Sequence, residues 1–155
     1  MTKKFFLQCV TIHDNMASLI YNSYKDKLIE GNIAYLTDTI KVALVTSSYT
    51  PDQDSHDFFD DVTNEVVGTG YTAGGATLGS KTSTQDNTNN RGVADAADTT
   101  WSASTLTARG AVIYKSTGVA STSPLMAYID FGQNYVTSGG TFQINWNADG
   151  ILYIG

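Results

Sequence analysis

The sequence predicts a mainly β protein: a single antiparallel β-sandwich or partly closed barrel with a short N-terminal helix. Three observations predict it. Only 15% of the residues are charged, while Thr, Ser, Gly, Asn and Ala are abundant, a mixture that suits pleated, half-buried strands better than a helical bundle. Residues 39–49, TIKVALVTSSY, are the longest apolar strand candidate and carry one charge, Lys41. Their alternation of Ile40, Val42 and Leu44 with Thr39, Lys41 and Ala43 is the period-two pattern of a strand with a buried face. Further short alternating segments lie downstream, separated by Gly, Asn and Ser, which is the layout of an antiparallel sandwich or barrel.

A chain of 155 residues suits one domain. At that size roughly 70% of the surface of the unfolded chain is buried, enough for a core without staples. The single cysteine, Cys9, has no partner for an internal disulfide.

Residues 1–15 fit poorly with the remainder of the chain. Lys3 and Lys4 before Phe5, Phe6 and Leu7 imitate a signal peptide, but Gln8 ends the apolar run after three residues, where about 7–15 are needed. Met16-Ala17-Ser18 reads as a second start. Residues 1–15 are therefore expected to form an upstream extension outside the core; the alternative is an arm that packs on a neighbour. Residues 16–30 read as a helix, capped by Asn15 or Ser18 and stopped by Gly31. Ile20, Tyr24 and Leu28 recur on one face, with Tyr21 beside them. That face is expected to cover one end of a sheet; the sharper alternative is docking on a partner subunit.

After Tyr49, Thr50-Pro51-Asp52 breaks the strand. The next segment holds Asp52, Asp54, Asp57, Asp60, Asp61 and Glu65, with no Lys or Arg between Lys41 and Lys81. It reads as a long loop with one helical turn over residues 55–61, capped by Ser55 and anchored by Phe58 or Phe59. The opening Asp52-x-Asp54-x-His56 imitates a calcium loop, but Asp57 stands where glycine is required and Thr63 where a bidentate glutamate is required. A solvated acidic surface is the expectation, with a looser cation site built from several loops as the alternative.

The glycines of residues 68–76 match neither the dinucleotide nor the phosphate-loop pattern and mark tight turns or bulges. Residues 76–84 and 92–97 can pair as a hairpin across the turn at 85–91, and Trp101 is expected to plug the core. Residues 106–115 are apolar on both faces in their second half, so this strand should lie centrally. Residues 125–131 and 141–147 alternate cleanly, and Asn147-Ala148-Asp149-Gly150 signals a hairpin into residues 151–154.

No constellation for catalysis emerges. The histidines are His13 and His56 alone; neither has a serine elbow beside it, and Cys9 with His13 lacks a third member. A non-enzyme without cofactor or metal is the expectation. A net charge of −6 argues against nucleic acid, which needs clustered cations, and no apolar run approaches the roughly 18 residues of a membrane span. Nine tyrosines suit contact surfaces.

Several blocks resemble a family of small structural proteins of tailed bacteriophages. They are DTIKVAL at 38–44, YTPDQDSHDFFDDV at 49–62, GTGYTAGG at 68–75, AVIYKSTG at 111–118 and GTFQINW at 140–146. The resemblance spans about residues 16–154. It implies a virion component, assembled in the host cytoplasm, that decorates or cements the capsid as a homo-oligomer with the major capsid protein or other virion proteins as partners. The alternative is a binding module at the virion surface or tail that recognises a host glycan or another tail protein. No catalytic or metal residues come with the resemblance. The candidate partner contacts are Tyr21 and Tyr24 on the helix, and Asp52, Asp54, Phe58 and Phe59 on the acidic loop.

Overall fold

The computed structural model of the chain describes residues 18–155 and the backbone of residues 10–11. Cys9 and His13 lie outside the described residues. Two sheets form a sandwich-like, mainly β architecture, not closed into a barrel. Among the described residues the strands are β1 (Val10–Thr11), β2 (Leu19–Ile20), β3 (Ile40–Val45), β4 (Ala76–Thr77), β5 (Thr82–Asp86), β6 (Arg91–Asp95), β7 (Thr99–Lys115), β8 (Leu125–Asn145) and β9 (Leu152–Ile154), with one α-helix, α1 (Asn22–Ile29). The larger sheet runs β1-β8-β7-β3-β4, with β2 also on β8; the smaller runs β5-β6-β9. Every pairing is antiparallel except that of β1 with β8.

Strand β7 lies between β3 and β8, as its two apolar faces require. On one face, Ile40, Val42, Leu44, Ile113, Met126 and Ile129 join Trp101, Phe142, Ile144 and Leu152 in the main core. On the other, Ala43, Val45, Val112, Tyr114, Leu125 and Tyr128 form a second cluster with Tyr21 and Tyr49. A strand buried on both sides carries few charges, and Lys41 is the only one in β3.

The segments read as two strands, 125–131 and 141–147, form one strand, β8, that bends sharply. Phe131 and Phe142 have ring centroids 6.1 Å apart, whereas eleven residues of straight strand would separate them by roughly 36 Å. The ladder to β7 passes from Ala108↔Tyr135 to Gly110↔Asp130, so β8 accumulates extra residues at the bend. Gly132 and Gly139 take positive φ there (80° and 65°), as bulges favour. The folded-over hairpin is what closes the main core.

Three expectations are corrected. The helix does not begin at residue 16: Leu19–Ile20 pairs with Tyr128 and Ala127 of β8, and the Ser18 hydroxyl accepts from the Asp130 amide instead of capping α1. Pairing an open sheet edge outweighs helical periodicity here. Gly31 ends the helix as expected, at φ 71°. The turn at 147–150 does not fold β9 back onto β8; β9 pairs with β6. Finally, β5 and β6 form the expected hairpin, but Ala76–Thr77 pairs with β3.

Gly75 (φ 71°) shows why the 68–76 segment is glycine-rich. A Cβ there would overlap the Val42 carbonyl oxygen and sit 2.6 Å from Ala43 Cα, backbone atoms of a strand paired on both edges. Gly75→Ala is expected to destabilise by roughly 2–4 kcal/mol, combining overpacking with the left-handed backbone cost. Gly79→Ala, where a Cβ meets nothing within 4 Å, is expected to be neutral or stabilising by up to about 1 kcal/mol. Urea titration of both variants checks the pair; equal midpoints would refute the close approach.

Candidate functional site

The chain between β3 and β4 lies across the second face of the larger sheet. Its geometry is set locally first. Asp52 Oδ1 accepts from the amides of Asp54 (2.9 Å) and Ser55 (3.2 Å), the Asx turn expected after Pro51. The Ser55 hydroxyl and those amides hold the Asp52 carboxyl below the usual carboxylate range. A single 3-10 turn forms at Phe59–Asp61. Its cap is Asp61, whose Oδ2 accepts from the amides of Asp57 (2.8 Å) and Phe58 (3.0 Å), not the Ser55 expected from sequence.

Aromatic groups then anchor the loop. The Phe59 ring stacks on Tyr114 at 4.0 Å and 13°. Phe58 bridges through its backbone to Pro124. Tyr49 is buried, and its hydroxyl lies 2.8 Å from that of Tyr21 and 3.0 Å from His56 Nδ1. The loop is also tied to the helix start: Gln53 Nε2 donates to the Ile20 carbonyl (2.7 Å), and Asn22 Nδ2 donates to Asp54 Oδ1 (2.7 Å).

These placements divide the six candidate contact residues. Tyr21 and Tyr24 are 0% and 3% exposed, so they are interior packing groups and present no surface to a partner. Burial pushes both hydroxyls up, Tyr24 to about 12. Phe58 and Phe59 are half-buried anchors. Asp52 and Asp54 are exposed and lie in one loop with the exposed Asp57 and Asp60. No ion pair reaches these four among the described residues; the ion pairs are formed by Asp26, Glu30, Asp38, Asp86 and Asp130. Among the described residues, no group of three or more His, Cys, Asp or Glu side chains is placed to hold a metal ion.

Beside the loop lies a pocket that periodicity and motif spacing did not reveal. It has a volume of about 330 Å³ and is lined by Lys41, Phe59, Glu65, Gly74, Tyr114 and Ser116, among others. Glu65 Oε1 accepts from the Tyr71 hydroxyl (2.7 Å) and the Gly74 amide (2.6 Å). Tyr114 donates to the Gly74 carbonyl (2.7 Å). The signal that could have found it was the lone lysine in an apolar strand.

Comparison with protein-family models, curated proteins and solved structures finds no match to this chain.

Proposed function

We propose that the chain is a non-enzymatic structural protein of a tailed-phage virion, binding the outside of the capsid as a decoration or cement protein. The observation that carries this reading is the acidic loop. Its backbone is pinned to the sheet by Tyr49 and Phe59, while Asp52, Asp54, Asp57 and Asp60 are exposed and, among the described residues, without ion pairs. A stiff, like-charged rim has little conformational entropy to lose on docking and complements a basic surface. A protein that binds the assembled shell better than free subunits stabilises the shell by mass action. Homo-oligomerisation about the capsid symmetry axes is part of the proposal. The glycan-binding alternative has less support: Tyr153, 44% exposed, is the one strongly exposed aromatic among the described residues.

The test is re-binding to purified phage heads that lack the protein. Saturable binding, with a copy number that matches capsid symmetry and a raised rupture temperature, is the expected outcome. Asp57→Asn combined with Asp60→Asn leaves the loop's own hydrogen bonds in place. It should weaken head binding severalfold at low salt, with a smaller loss at high salt. Retention on tails or host glycans, with none on heads, would overturn the proposal.

A further inference from the structure

The cations of the described residues are almost all engaged. Lys25 donates to Asn22, Lys27 pairs with Asp26 and Glu30, and Lys81 donates to the Asp38 carbonyl. Arg91, Arg109 and Lys115 pair with Asp86, Asp130 and Asp38. The Lys41 ammonium alone among the described lysine and arginine side chains has no hydrogen bond, ion pair or ring contact. It is half-buried and shares a rung with Tyr114, so its side chain rises on the face where Phe59 stacks. A half-buried ammonium without a partner loses hydration and gains nothing in return. Threonine or valine would satisfy the strand at that position.

The surroundings are built rather than incidental. A Cβ at Gly74 would lie 3.2 Å from Lys41 Nζ and 3.3 Å from the Tyr114 hydroxyl, so glycine keeps the space beside the ammonium open. Also lining the pocket, Glu65 is held through Oε1 by Tyr71 and Gly74, and Tyr71 is itself fixed by accepting from the Leu44 amide (2.9 Å). No ion pair joins Lys41 to Glu65, so cation and carboxylate stand apart in one cavity. Its volume falls at the lower end of the roughly 300–1,000 Å³ range of ligand pockets.

We propose that this pocket binds a small carboxylate that also carries an amino or hydroxyl donor. The carboxylate meets Lys41, the donor meets Glu65, and the stacked Phe59 and Tyr114 form an apolar wall. A bare anion would gain from Lys41 but face repulsion from Glu65 and from the chain's net charge of −6. An amino acid and a uronic acid both carry the required groups. This inference is independent of the capsid reading.

The test is amide NMR of the full chain with L-glutamate, glucuronate, acetate and inorganic phosphate at constant ionic strength. Saturable shifts at Gly74, Gly118 and Val119 with glutamate or glucuronate, at a Kd of about 1–10 mM, are expected. The probe that saturates tells an amino acid from an acidic sugar. Lys41→Met should weaken that binding about tenfold or more, and Lys25→Met, which changes net charge equally, should not. Lys41→Gln serves the same purpose if methionine disturbs the strand. Shifts that never saturate, equal binding by the Lys41 variants, or acetate and phosphate binding as tightly as the donor-bearing acids would each overturn the proposal.

Discussion

Phe142→Ala should lower the stability of this protein by about 3–5 kcal/mol, the range for truncating a fully buried phenylalanine. The ring is 0% exposed. It sits edge-on to Trp101 at 5.9 Å and 6.1 Å from Phe131, so it fills the angle where β8 folds over on itself. The surrounding backbone is held by the β7–β8 ladder and has little freedom to collapse into the space left behind. Against a typical domain stability of 5–15 kcal/mol, that loss moves the protein close to its unfolding threshold. Urea titration checks it. A cost below about 1 kcal/mol would mean that the bend is not held by this ring, since such a cost fits only a half-exposed site.

Alkaline unfolding should begin near pH 10 and be complete by about pH 12. Burial pushes Tyr24 and Tyr114 up to about 12, and it raises Tyr21 further, with help from Tyr49. In the unfolded chain these hydroxyls ionise near 10. Above that pH the unfolded state sheds protons that the folded state keeps, so ionisation favours unfolding. The stabilisation is whole below pH 10 and is lost as pH rises toward the folded values. These three tyrosines together remove roughly 4 kcal/mol per pH unit once the unfolded chain ionises. Tyr71, raised by burial and the neighbouring Glu65, adds in the same direction. Tyrosinate absorbance tracked alongside circular dichroism should show the buried group ionising only as the sheet is lost. Ionisation of all nine tyrosines near pH 10 with the sheet intact would show that these side chains are solvated.

Much of the β architecture was legible because period-two alternation is a property of a few neighbouring residues. Ile40, Val42 and Leu44 face the main core as their spacing dictates. The two-faced apolar pattern of residues 110–114 correctly placed β7 between two strands. The acidic segment read correctly as a loop with one short turn, because breaker residues are also local signals; the choice between Phe58 and Phe59 as the stacking anchor, the turn's shorter extent at Phe59–Asp61 and its cap at Asp61 came from the tertiary structure.

What the tertiary structure decided is who pairs with whom and what lies beneath what. Tyr21 and Tyr24 show the same periodicity whether they face a partner or their own core; Tyr21 is buried with Tyr49 in the second cluster, beneath the acidic loop, and Tyr24 in the main core. The turn at 147–150 allows a hairpin, but β6 offers β9 an open edge. Lys41 was visible as a lone charge in an apolar strand. That it stands unpaired beside Gly74, with Glu65 lining the same cavity, depends on residues 24 and 33 positions away along the chain. Local propensity selects the elements, whereas burial and edge pairing act between residues far apart in sequence, and no window of neighbours encodes them.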